Sequence, residues 1–565
     1  MTAPPASATD YWVGPPGTGS DRNAGTQAAP FATFGMGART AQAGDTVHIH
    51  GGVYSESVVP SHSGTASAWI TFEAAPGELP ILDGTNNAGT GFSAGGTGFI
   101  RVIGIASRRY GSSGFDNGFT NSVGNVQFID CIADNNGING IAFYKATGVL
   151  IQNSLVLHNG NQLPSWSSGV NLFTAGGTFQ DNQVIGNVSF ENIDISTTHS
   201  TPTGHPTDGS GFILDEQSTG ALFENNIGFR NGGSCIRLTN SSGAHMINNT
   251  CFSDAMNPDD GTPSNPAEIF FSDATTTTTN VIVANDLAVP NTNNIGINAT
   301  KGTGSAFLKN LTTGAAALFT NATAADFVPA ASATSVINQG DATNAPSTDI
   351  GFDPRCITQT GVTVVGTAVS WWSYYVDYTY ISTVGVAACF HPAVRPQGGA
   401  PDIGAYEVGG VLSDAGVGPT GGSSSSSGGT AGSSSSSGGA SSSSSSSGST
   451  TGGAKDAGAV GSSGSGSSSS GSGGATGGSS SGAGGASSSG VSSSGGASSS
   501  GGASTSGGGG ADASTPPARG ASSFSGGDNA TGCDVAPGAP GLPTWASAAL
   551  ACIAAAGMRR RRRAR

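Results

Sequence analysis

Asp208, Asp215 and Glu216 stand close together in a 565-residue chain whose charged side chains make up only 10% of the total. The stretch just before them, residues 197–208, carries His199 and His205. Carboxyls and imidazoles gathered at one place are the groups that hold cations and move protons near neutral pH. Two chemistries fit. To eliminate across an anionic sugar polymer, Asp208, Asp215 and Glu216 would hold Ca²⁺ against the substrate carboxylate, and Arg237 or Lys145 would approach as the base. To hydrolyse a glycosidic bond, two carboxyls of unlike protonation would flank it. Asp208 with Asp215 suits that role better than Asp215 with Glu216, because successive strand residues face opposite ways. His205 is a further proton-transfer candidate. The bland alternative makes Asp208 part of a turn with Gly209 and both histidines solvated loop residues.

Such residues need a scaffold, and short apolar alternations supply one: Ile141 and Phe143, Val170 and Leu172, Phe212 and Leu214, Ile236 and Leu238, Ile269 and Phe271. Stacked as parallel strands they project outward columns. One column is Tyr144, Phe173, Asp215, Thr239 and Ser272. Its neighbour is Ala142, Asn171, Ile213, Arg237 and Phe270. Tyr144, Lys145, Asn171, Phe173 and Phe270 then become candidates for binding a sugar, which offers an apolar face and a hydroxyl rim. An ordinary amphipathic outer face fits equally well. The longest insertion, residues 197–208, runs directly into the acids, and long loops on regular scaffolds tend to be functional.

A second pattern follows these strands. An apolar residue is followed two positions on by Asn or Asp, and usually by another six positions later. The copies are Phe128, Asp130 and Asn136; Ile151, Asn153 and Asn159; Phe179, Asp181 and Asn187; Phe223, Asn225 and Asn231; and Met246, Asn248 and Asp254, with Val283 and Asn285 as a partial last copy. With no helical period long enough for a crossover, a parallel β-solenoid is the simplest architecture. Asn tolerates the left-handed backbone at a coil corner, and its amide can bond its counterpart one coil up. These Asn and Asp residues therefore read as structural.

Composition divides the chain. Net charge is −15 with four lysines, which excludes a nucleic-acid binder. Residues 1–9 read as disordered, 10–83 as an N-terminal cap with first coils, 84–298 as the repeats, and 299–408 as closing coils. Residues 409–528, with Ser and Gly blocks such as 421–439, cannot bury a core and read as a tether spanning about 60 Å. Residues 529–565 read as an anchor, with an uncharged span at 542–558 followed by an arginine tail at 559–565. That order predicts a monomer on the cell surface, held to a membrane by its C-terminal segment, although residues 1–10 show no export leader. Cys356 and Cys389 flank an aromatic-rich segment and could pair outside the cytoplasm. Cys131, Cys235 and Cys251 read as small core hydrophobes. No cysteine spacing suggests zinc, and no glycine pattern makes a phosphate loop.

Resemblances add to this reading. Tyr11-Trp12-Val13, residues 17–21, Gly25-Thr26, Ala29-Pro30-Phe31, Ala43-Gly44-Asp45-Thr46-Val47 and Gly51-Gly52-Val53-Tyr54 occur in order. They look like the opening of right-handed parallel β-helix proteins related to the family-nine polysaccharide lyases. Asp208-Gly209-Ser210-Gly211-Phe212 and the Asn pattern extend the likeness to about residue 286. It implies an all-β, right-handed parallel β-helix, a polysaccharide partner, Ca²⁺ as cofactor and a lysine base, for which this chain offers no matched position. The alternative is a surface adhesin or matrix protein that binds glycan without cleaving it. Residues 401–407 resemble a closing motif found before surface anchors. Residues 531–565 resemble the C-terminal sorting signals of myxobacterial surface proteins, which implies processing or lipid attachment at Cys533.

Overall fold

The computed structural model describes residues 8–119, 124–162, 165–195, 208–256, 267–271, 278–292, 294–300, 302–359 and 372–408. Most of the strands fall into three parallel sheets of eleven, nine and eight strands. One coil contributes Val126–Ile129 to the first sheet, Ile132–Asp134 to the second and Ile141–Tyr144 to the third. The next contributes Val149–Gln152, Leu155–Leu157 and Val170–Phe173, each in register with its predecessor. The chain is therefore a parallel β-helix, consistent with the right-handed winding that parallel crossovers take.

Short strands need sharp corners. Between the first and second sheets a single left-handed residue turns each coil: Asp130, Asn153, Gly186, Asn225, Asn248 and Asn285. The sequence pattern assigned Asp181 to the third of these places. Gly186 takes it instead, because Gly adopts that backbone without an Asn side chain to mark it. Asp181 belongs to a turn and accepts from the Thr178 N–H at 2.8 Å.

Six residues beyond each corner the predicted ladder runs Asn136, Asn159, Asn192, Asn231 and Asp254, at intervals of 23, 33, 39 and 23 residues. Each Nδ2 donates to the next Oδ1, at 2.9 Å from Asn159 to Asn192. The top member only has to accept, which a carboxyl does as well as an amide. Asn187, expected in this ladder, stands in a second one with Asn226, Asn249 and Asp286.

The lumen is filled by Phe128, Ile151, Val184, Phe223, Met246 and Val283 from the first sheet, facing Phe143, Leu172, Leu214 and Leu238 from the third. The inward column of the second sheet is small, Ala133, Val156, Ser189, Gly228, Cys251 and Ala288, which leaves room for those larger chains. Helix Phe34–Thr40 plugs the N-terminal end. Its N-cap Thr33 accepts from the Met36 N–H, and Phe34 packs on Phe72 and Phe92.

Beyond residue 299 the coils contribute one more strand, Ala306–Leu308. Much of the remainder folds over the outer face of the second sheet, where Phe229 meets Phe327 and Tyr374. Cys356 and Cys389 are joined there, as the sequence suggested. Cys235 and Cys251 correct their assignment as free core residues. Cys235 directly precedes the third-sheet strand Ile236–Leu238 and Cys251 lies on the second sheet, and their Cα atoms come within 5.6 Å in a disulfide. Cys131 stays free and buried. In the closing segment, Asp402 and Gly404 carbonyls each accept from Asn248 Nδ2 at 2.9 Å. Among the described residues no helix is long and apolar enough to cross a membrane; the span at 542–558 and Cys533 lie outside them.

Candidate functional site

The third sheet carries the expected columns. Tyr144, Phe173 and Asp215 pair in line, as do Ala142, Asn171, Ile213, Arg237 and Phe270. Thr239 continues the first column, its N–H donating to the Leu214 carbonyl at 2.9 Å; Ser272 lies outside the described residues. Val170, Leu172, Phe212 and Leu214 enter the core, so alternation turns the residues between them outward. Outward is not exposed here. Asn171 and Asp215 are only 3% and 7% accessible.

Arg237 Nη1 donates to Asp208 Oδ1 at 3.2 Å, and its guanidinium lies 5.7 Å from the Phe270 ring centre. Asp215 sits within the field of this pair. Burial is the largest cause acting on its carboxyl; the Asp208 charge adds to it, Arg237 opposes it, and Glu216 adds again. Together they push the pKa up to about 7. The result is a carboxyl that changes charge near neutrality beside an arginine already holding an acid. Aromatic rings flank this centre along the face. Phe119 packs edge-on against Tyr144 at 4.9 Å, and Tyr144 lies 6.3 Å from Phe173.

Lys145 and Glu216 are placed differently from the expectation. Neither lies within a strand. With Thr174 they form the left-handed corner row that follows the third sheet, at φ of 52°, 52° and 44°. Lys145 is exposed and two coils from Glu216. Among the described residues no three His, Cys, Asp or Glu side chains are grouped to hold a metal ion. Asp208, Asp215 and Glu216 therefore do not form the expected Ca²⁺ cage; Asp208 instead binds a guanidinium, whose charge opposes a cation at the same place. His199 and His205 lie outside the described residues.

The sequence missed two things. Asp116 extends the Ala142 column by one coil and is buried, its carboxyl raised by that burial and accepting from Thr90 Oγ1 at 2.8 Å. A larger cluster lies on the second sheet. His158 stands between Asp134 and Glu191, 3.3 Å from each, with its ring stacked 4.0 Å from Trp372. Glu191 also accepts from Arg230 Nε at 2.9 Å and from the Ser373 N–H. Asn135, His158, Glu191 and Arg230 share a coil corner; the residues that cover the cluster come from 143 to 244 positions away.

No family model matches the chain. Over 89 residues, 15% of its length, it is 38% identical to pectate lyase PEL9 of Emericella nidulans, covering 21% of that protein. Over 94 residues it is 37% identical to the uncharacterized protein YwoF of Bacillus subtilis, covering 19% of it. The chain thus spans about a fifth of the length of these curated relatives. Among solved structures it is similar to pectate lyase Pel9A, at a TM-score of 0.43 and 16% identity over 71% of this chain and 97% of that one. A rhamnogalacturonan lyase follows at 0.36 and 16%, over 56% and 91%. The winding described above rests on this chain's own strand pairing.

Proposed function

We propose that the chain binds an acidic polysaccharide along the outer face of the third sheet and cleaves it by elimination, with Asp215 as the base. The observation that carries this is the buried Asp215 carboxyl, poised near neutrality beside the Asp208–Arg237 pair on an aromatic-flanked face. The name of the fungal relative supports the substrate class. Arg237 would meet the sugar carboxylate with its planar fork. Asp215 would take the proton from the adjacent ring carbon, whose bonding pair becomes a double bond. The bond to the leaving sugar breaks with its electrons on oxygen, which takes a proton from solvent.

Hydrolysis by the same residues is the second reading, favoured by the electrostatic coupling of Asp208 with Asp215. The two differ in sign with pH. A base must be charged, so elimination rises as pH passes upward through about 7. An acid must be neutral, so hydrolysis falls over the same interval. Incubation with polygalacturonate, alginate and neutral glycans, following unsaturated uronate absorbance and reducing ends, separates them. Retention on glycan with neither product leaves a binding protein. Cleavage is expected with or without added Ca²⁺; its loss in chelator would return a cation to this face.

The same proposal displays the protein on the cell surface through the tether at 409–528 and the anchor at 529–565. Cys533→Ser should then release it from the envelope fraction, and retention there would remove Cys533 from the anchoring step.

A further inference from the structure

Three polar groups on or just before the third-sheet strands are buried and lack any hydrogen-bond partner in the protein: Asn171 Oδ1, Ser168 Oγ and Ser210 Oγ. Both serines are wholly buried and Asn171 is 3% accessible. Native structures rarely leave such groups unmet, because each costs stability that a protein partner would restore. Elsewhere in this solenoid buried amides are met repeatedly, the Asn192 side chain taking part in five hydrogen bonds.

The unmet groups share one place. The Gly169 N–H donates to the Ser210 carbonyl, so the coils carrying Ser168 and Ser210 stack directly. The Ser168 N–H donates to Asn139 Oδ1 at 2.8 Å, and Asn139 Nδ2 donates to Tyr144 Oη on the outer face. Asn171 pairs with Ile213, and Ile213 with Arg237. Asn171 thus stands in the same outward column as Arg237, two coils away, while Ser210 follows Asp208 by two residues and stacks on the coil of Ser168.

We infer that Asn171, Ser168 and Ser210 form a subsite for the free hydroxyls of a sugar unit lying beside the Asp208–Arg237 pair, and that it selects against glycans acylated on those hydroxyls. This rests on the polysaccharide reading above. Two hydroxyls and one amide each donate and accept, as a ring diol does. Acylation removes the diol's donors and adds bulk. Partners missing in the free protein are then supplied by the ligand, and the stability they cost is exchanged for selectivity.

The test uses the full chain, polygalacturonate and its O-acetylated form, measured by calorimetric titration and thermal melting. Wild type should bind the unsubstituted polymer at least tenfold more tightly. Asn171→Leu and the double variant Ser168→Ala/Ser210→Ala should each lose about tenfold in affinity for it, with the preference reduced and the melting temperature unchanged or higher. A structural role predicts lower melting. The double variant removes two oxygen atoms without opening a large cavity, so it remains informative if Asn171→Leu folds poorly. Wild-type affinity in the double variant overturns the inference, as does binding lost only together with melting. If wild type binds no glycan, the polysaccharide reading itself falls. If wild type cleaves, Asp215→Asn does not, and the subsite variants bind normally, only the subsite falls.

Discussion

The second and third sheets of this solenoid both carry buried charge, yet they handle it in opposite ways. On the second sheet the charges around His158 are answered. Glu191 binds His158, Arg230 and backbone N–H groups at once, and the segment around Trp372 closes over them. Burial alone would lower the His158 pKa, but its bonds to Asp134 and Glu191 outweigh that and hold it above the ordinary value. On the third sheet Arg237 answers Asp208, Asp215 is pushed toward neutrality, and Asn171, Ser168 and Ser210 are unmet within the protein. Satisfied burial fixes a fold, whereas unsatisfied burial leaves free energy for a ligand to recover.

Substitutions that cross this divide should separate the two roles. The largest effect is expected on turnover. Asp215→Asn should reduce cleavage by at least a hundredfold while leaving the melting temperature at pH 8 equal or raised. Because folding raises the Asp215 pKa, its neutral form favours the folded state below the unfolded value near 4, and that advantage is lost as pH rises through about 7. Retained turnover would move the site elsewhere.

His158→Ala should destabilise by about 3 kcal/mol in urea denaturation, since it removes a buried partner shared by Asp134 and Glu191, without altering glycan binding. The His158 contribution is present in full below its unfolded pKa and should fade as pH rises through the raised folded value. A variant as stable as wild type at pH 6 would show that Arg230 and the backbone donors suffice. Asn192→Ala should cost about 2 kcal/mol by breaking the ladder between Asn159 and Asn231, again measured in urea. Smallest of all, Lys145→Ala, on an exposed corner, should change stability by less than about 0.5 kcal/mol and leave cleavage intact. A large loss of cleavage would make Lys145 the base in place of Asp215.

Sequence alone determined a good deal here. Alternating apolar pairs set the third-sheet strands, and their spacing put Asn171, Ile213, Arg237 and Phe270 in one column, because a strand has only two faces and parallel coils repeat in register. Left-handed corners between the first and second sheets were legible where Asn or Asp filled them and illegible at Gly186, where the backbone needs no side chain to turn. Tertiary structure alone decided which polar groups would be satisfied. Asp208 met Arg237 instead of joining a carboxylate cage, Cys235 found Cys251 across the lumen, and His158 acquired partners remote in the chain. Charge state and pairing depend on distance and water exclusion, and a linear order of residues records neither.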